Sequence, residues 1–354
     1  MTLLLQRLPH RFHSLSWILN VGNDSHNGYR DIMRTIPRTS RRGISVLAFA
    51  AMSSLFVSCS SASDSSSETK DTVKISASFY PLVEIASRVG GDRVTVVELT
   101  PPGEGAHDVQ LTAKTLDELS RSQAVFYISD GFQPDVEKAV ASLNSSIVKK
   151  DLLSTLSLLN VVEQLQGTEG ETDGEVLASG KDPHVWLDPA NMIVMTRTVL
   201  ETLSALQPES ATTFTTNANA YISELEELGT EIDSSLKNCA SRALVTSHRA
   251  FAYLAARAQL QQVAISGVNP EEEPSAKSLE AIAAFAKTNN VSTIFFETLL
   301  PADLAKTLAT QVGATADLLD PIEGISSEDL AAGATYLSLQ RDNLSRIAKG
   351  LRCS

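Results

Sequence analysis

The chain has 354 residues, 43% hydrophobic and 20% charged, which exceeds one ordinary core and excludes both a disordered polymer and an integral membrane bundle. Its net charge of −13, from 29 Lys and Arg against 42 Asp and Glu, argues against nucleic-acid binding, where phosphate contacts need clustered basic residues. A cation or a basic partner fits better, and two domains preceded by targeting sequence fit the length.

Residues 1–58 differ from the rest, with seven Arg, no Lys and only Asp24 and Asp31 as acids. Without them 22 basic residues face 40 acidic ones, a net charge of −18. Arg34, Arg38, Arg41 and Arg42 precede the apolar run Ile44 to Val57, then Ser58-Cys59 and a Ser-rich polar tract to Thr69. That order is a secretion signal. The apolar run of 14 residues is shorter than the ~20 of a transmembrane helix. Met33 stands where such a signal would begin, so residues 1–32 are expected to lie upstream of the true start. Phe56-Val57-Ser58-Cys59 resembles the lipobox of bacterial lipoproteins, with Phe56 where Leu is usual. That likeness implies a lipidated Cys59 at the outer face of the bacterial cytoplasmic membrane, or a periplasmic protein, with residues 59–71 as a flexible tether. The alternative is plain secretion with an incidental cysteine.

Beyond residue 71, short β-rich runs alternate with longer helical ones, which predicts α/β layers with mostly parallel sheets. Val73 to Phe79, Val94 to Leu99 and Ala124 to Ser129 read as strands of an N-terminal lobe over 72–207. Tyr221, Leu225, Leu228, Ile232 and Leu236 recur at the spacing of one apolar helix face. A long rigid helix over 208–237, opened by Pro208 and supported by Glu224, Glu226, Glu227 and Glu231, would join this lobe to a C-terminal lobe over 238–354. There Ala243 to Ser247, Gln262 to Ser266, Thr293 to Glu297 and Ala316 to Leu319 read as strands. Export also changes the reading of Cys239 and Cys353, since oxidising compartments favour disulfides. A bridge between them would fasten the C-terminal tail; the alternative is two unpaired thiols.

Of six histidines, His10, His13 and His26 lie in the presequence. The remaining three each sit beside a strand end or turn. His107 follows Pro101-Pro102-Gly103-Glu104-Gly105-Ala106, His184 lies within Asp182-Pro183-His184-Val185-Trp186-Leu187-Asp188-Pro189, and His248 follows Ala-Leu-Val-Thr-Ser. Ligands of open α/β sheets collect outside the carboxyl ends of strands, and imidazole is the commonest metal ligand, so convergence on one ion is expected. Asp320, after another short strand in Leu318-Leu319-Asp320-Pro321-Ile322-Glu323-Gly324, is the preferred fourth ligand. Glu297, ending Thr-Ile-Phe-Phe-Glu, is its rival.

These motifs, with Val245-Thr246-Ser247-His248, Asn269-Pro270-Glu271, Glu273-Pro274-Ser275 and Leu319-Asp320-Pro321, resemble the metal-receptor lipoproteins of bacterial ABC importers for zinc and manganese over roughly residues 72–351. The resemblance implies a cleft between two lobes, His107 and His184 from the first and His248 and Asp320 from the second. It also implies a monomer that delivers its ion to a membrane permease with a cytoplasmic ATPase. The manganese branch of that family has a carboxylate where His248 stands. Three imidazoles and one carboxylate suit Zn²⁺, whereas Mn²⁺ favours oxygen; a manganese receptor is the alternative. Asp108, Asp182 and Asp188 either orient the imidazoles or face solvent. Glu163 to Lys181 occupies the place of the family's His-rich acidic loop but holds no histidine, so it reads as solvated linker. An enzyme is not expected: His-Glu-x-x-His, Gly-x-Ser-x-Gly around Ser247-His248, and a P-loop are all missing from the sequence. The rivals from other classes are an exported zinc hydrolase and a surface adhesin.

Overall fold

The computed structural model describes residues 72–107, 109–161, 178–267, 274–297 and 302–354. The signal segment, Cys59, the tether, Asp108, the Asn269-Pro270-Glu271 motif with Glu273, and most of the acidic loop lie outside them. Among the described residues no helix is long and apolar enough to cross a membrane.

The first lobe carries β1 (Val73–Ala77), α1 (Tyr80–Gly90), β2 (Val94–Glu98), α2 (Ala113–Ser120), β3 (Ala124–Tyr127), α3 (Pro134–Ser142) and β4 (Val148–Asp151). Its four strands form a wholly parallel sheet ordered β2-β1-β3-β4. Parallel neighbours need helical crossovers that cover both faces, so the inner strands are largely buried; Ile75, Ala77, Val125 and Phe126 are fully buried, and the polar Ser76 is buried with them. β4 is a fourth strand that the sequence reading lacks. Its Val-Lys-Lys-Asp stretch is too polar to announce a strand, which suits an edge position.

Helix α4 (Pro189–Leu206) and α5 (Ala211–Ser235) follow. Asp188 caps α4 through its side chain, accepting from Ala190 N at 2.9 Å with Pro189 as first helical residue. A 3-10 turn over Pro208–Ser210 leads into α5, which buries the predicted face: Tyr221, Leu225, Leu228 and Ile232 are fully inaccessible. The helix stops at Ser235, where Arg242 donates to the freed carbonyls of Leu236 and Lys237, each at 2.7 Å. On its outer side Glu224 pairs with Arg88 of α1 and Glu231 with Arg341 near the C-terminus, so α5 is tied to both halves of the molecule.

The second sheet has the same plan: β5 (Ala243–Thr246), α6 (Ala252–Ala258), β6 (Gln261–Ala264), α7 (Ala276–Thr288), β7 (Thr293–Phe296), α8 (Asp303–Val312) and β8 (Thr315–Leu318). It is parallel, in the order β6-β5-β7-β8. The short α9 (Ser327–Ala331) and α10 (Tyr336–Gly350) close the chain. A disulfide joins Cys239 to Cys353 across 114 residues. One apolar cluster runs from β1 and α1 through α4 and α5 to Phe295, Tyr336 and Ile347, while smaller clusters line the outer side of each sheet. The two lobes therefore share a core along the long helix.

Candidate metal centre

Loops at the carboxyl ends of the strands carry the site. His107 lies on the loop after β2, steered by Gln133, whose amide donates to the Ala106 carbonyl at 2.9 Å and to Thr100 Oγ1 at 3.3 Å. His184 precedes the 3-10 turn Val185–Leu187 that leads into α4. Its ring Nδ1 is 3.0 Å from Asp182 Oδ1, and that carboxylate also accepts from the His184 backbone N–H at 2.9 Å. Tyr253 of α6 donates to the Asp182 carbonyl at 2.9 Å, bracing this segment from the second lobe. His248 follows β5; its carbonyl accepts from Thr246 Oγ1 at 2.7 Å, and its Nδ1 lies 2.6 Å from Glu297 Oε1.

The three imidazoles converge. Ring centroids are 5.3 Å apart for His107 and His184, 5.2 Å for His184 and His248, and 6.1 Å for His107 and His248. The carboxylate standing among them is Glu323, neither Asp320 nor Glu297. Its Oε1 lies 3.4, 3.6 and 3.4 Å from Nε2 of His107, His184 and His248, and the last two Nε2 atoms are 3.3 Å apart. All four residues are buried, and no other such group of His, Cys, Asp and Glu occurs among the described residues. A tetrahedron with bonds of about 2.0–2.1 Å has ligand atoms roughly 3.3–3.4 Å apart. The four separations thus match a cradle for one small ion.

The two other carboxylates are occupied elsewhere. Asp320 turns its Oδ1 to the Ile322 backbone N–H at 2.8 Å, while Asn343 of α10 brackets its backbone at 2.9 and 2.6 Å. It builds the turn. Ile322 then adopts φ +55°, and the reversed chain sends Glu323 inward. Glu297 sits behind His248, accepting from its backbone N–H at 3.0 Å and from Ser247 Oγ at 2.8 Å. The missed residue had one signal: Asp-Pro favours a turn, so a carboxylate after it, on the longer Glu side chain, is the one carried back toward the strand ends. Of the candidate orienting aspartates, Asp182 contacts an imidazole. Asp188 does not: beyond capping α4 it pairs with Arg257 at 3.0 Å.

Electrostatics reflect four groups pressed together. Burial opposes a charge on His248, but Glu297 and Glu323 outweigh it and push its pKa up to about 10. Burial likewise raises Glu323, yet His107, His184 and His248 overcome it and hold the carboxyl well below the ordinary range. Asp320, with burial as the main cause, is raised to about 6. Imidazoles aimed at one point with a carboxylate, and Nδ1 atoms of two of them held by outer carboxylates, are the arrangement of a metal site.

Two parallel α/β lobes on one long helix, closing over such a centre, form a frame able to hold a metal ion. Known proteins agree. The family described as zinc-uptake complex component A, periplasmic, matches residues 75–350. A zinc-binding lipoprotein, AdcA, of Streptococcus pneumoniae is 33% identical over 303 residues, covering 84% of this chain and 59% of that protein. The high-affinity zinc uptake system protein ZnuA of Bacillus subtilis is 28% identical over 82% of this chain and 92% of its own length. The crystal structure of the Zn(II)-bound ZnuA-like domain of the pneumococcal AdcA superposes with a TM-score of 0.66 at 31% identity, covering 79% of this chain and 99% of that one. The chain belongs to the zinc-uptake component A family. It spans about three fifths of the AdcA relative.

Proposed function

We propose that this protein is an exported receptor that captures Zn²⁺ through His107, His184, His248 and Glu323 and hands it to an ABC-type permease driven by a cytoplasmic ATPase. The observation that carries the reading is that one Glu323 oxygen lies 3.4 to 3.6 Å from the Nε2 atoms of all three imidazoles, two of which are 3.3 Å apart. Three nitrogens and one oxygen favour zinc over manganese. Lipidation of Cys59, in a segment resembling a lipobox, would keep the receptor at the membrane.

The test is competition between zinc and manganese for metal-stripped protein, read by calorimetry. Zinc is expected to win; equal or stronger manganese retention overturns the metal assignment. At zinc about a thousandfold above its dissociation constant, mass action adds roughly 4 kcal/mol, which should raise Tm by roughly 6 °C for a chain of this size. An unchanged Tm counts against binding.

Zinc binding at neutral pH is also expected to release close to one proton per ion. With its pKa near 10, His248 enters the metal-free site protonated, and its Nε2 must lose that proton to ligate. Affinity should then rise about tenfold per pH unit between roughly 7 and 10. The metal-free fold has the opposite trend. A raised imidazole pKa stabilises it fully below the unfolded value of about 6.5, a contribution lost as pH climbs through about 10. Calorimetry in buffers of different ionisation enthalpy counts the protons, and zero release would show that His248 is already neutral.

A further inference from the structure

The residues around Glu323 hold more than a ligand. Trp186 is fully buried and two residues from His184. Its indole N–H donates to the Pro321 carbonyl at 2.8 Å, across the lobes and into the loop that presents Glu323. The Trp186 carbonyl accepts from the Tyr336 hydroxyl at the start of α10. A second tie crosses four residues on: the Gly103 N–H of the first lobe donates to the Ile325 carbonyl at 3.1 Å. Between these two ties Ile322 has φ +55°. For a β-branched residue that region is a true outlier, and it persists only where the surroundings impose it.

We infer that Trp186 is a positioning residue: through Pro321 it latches the strained 320–325 loop against the first lobe, so that Glu323 reaches the imidazoles only while the lobes are closed. When the lobes part, the Trp186 and Gly103 ties break together, Ile322 relaxes, and the carboxylate withdraws from the ion. Because His184 and Trp186 share one short segment, an imidazole and the latch for the carboxylate move as a unit. The latch thus governs release rather than capture. This inference rests on the zinc reading above.

The test is zinc release from the loaded full-length protein, timed by stopped flow into excess chromogenic chelator. Trp186→Phe keeps an aromatic ring against Phe79 and Phe132 but removes the donor. It should release zinc about three- to tenfold faster, the worth of one ordinary hydrogen bond, with the association rate unchanged. If the latch acts through the carboxylate, the acceleration disappears in a Glu323→Gln background, since coupled residues are not additive. A merely structural defect would persist there. Tyr336→Phe, which frees the Trp186 carbonyl, should accelerate release in the same direction and decides the matter alone if Trp186→Phe does not fold. Wild-type release rates in the folded variants, or an undiminished effect of Trp186→Phe beside Glu323→Gln, overturn the latch. Failure of the unaltered protein to bind zinc overturns the zinc reading, and the latch with it.

Discussion

His184→Ala is expected to weaken zinc binding by more than about a hundredfold, because even outer partners of metal-bound imidazoles are worth roughly 10–100-fold. His107→Ala and His248→Ala should fall in the same range. The informative comparison lies among the three acids. Glu323→Gln should cost as much as loss of an imidazole, since Oε1 stands within 3.6 Å of all three Nε2 atoms. Glu297→Gln should cost about 10–100-fold by slackening His248, whose Nδ1 it meets at 2.6 Å. Asp320→Asn keeps the Oδ1 acceptor for the Ile322 N–H and should cost least. Competition against a chelator of known affinity orders the three. An Asp320→Asn loss equal to that of Glu323→Gln would return the fourth ligand to Asp320.

That ordering shows where the chain could be read directly. The apolar face from Tyr221 to Ile232 survives in three dimensions because helix periodicity is a local property: α5 buries those positions whatever packs on it. The three histidines were legible for a related reason, as each follows a strand or a proline-bracketed turn, and parallel sheets gather such loops on one edge. What the pattern could not resolve was direction within a loop. Asp320 is nearest the strand end, yet its carboxylate serves Ile322, and the left-handed turn at an isoleucine has no signature in a sequence without Gly or Asn there. The same limit hid β4. Its two lysines, part-buried on the sheet edge, obey the chemistry of an edge strand rather than its apolar pattern. Asp188 shows a related ambiguity, because a carboxylate near an imidazole in sequence can equally cap the next helix.

Removing the disulfide should be the largest single loss of stability outside the metal site. In Cys239→Ser/Cys353→Ser, the metal-free protein is expected to lose about 2–5 kcal/mol, since the bridge closes a long loop and restricts the unfolded chain. The separation of 114 residues puts the entropic limit near ~5 kcal/mol. Backbone pairing will hold back part of that loss. Ala240 and Ser241 donate to Arg352 and Leu351, both at 3.2 Å, and Ser354 donates to Asn238 at 2.9 Å, so the strand-like contact between the segment after α5 and the C-terminus does not depend on sulfur. Farther along α10, Asn343 holds the backbone of Asp320 and Arg341 holds Glu231. These contacts keep the helix seated, so zinc affinity should survive the loss of the bridge. The measurement is guanidinium unfolding of metal-free protein, oxidised, reduced and doubly substituted. The midpoint should fall in the last two, and because an open chain exposes more surface when it unfolds, the m-value should rise modestly. A midpoint that does not move would mean that backbone pairing, rather than the covalent link, anchors the tail.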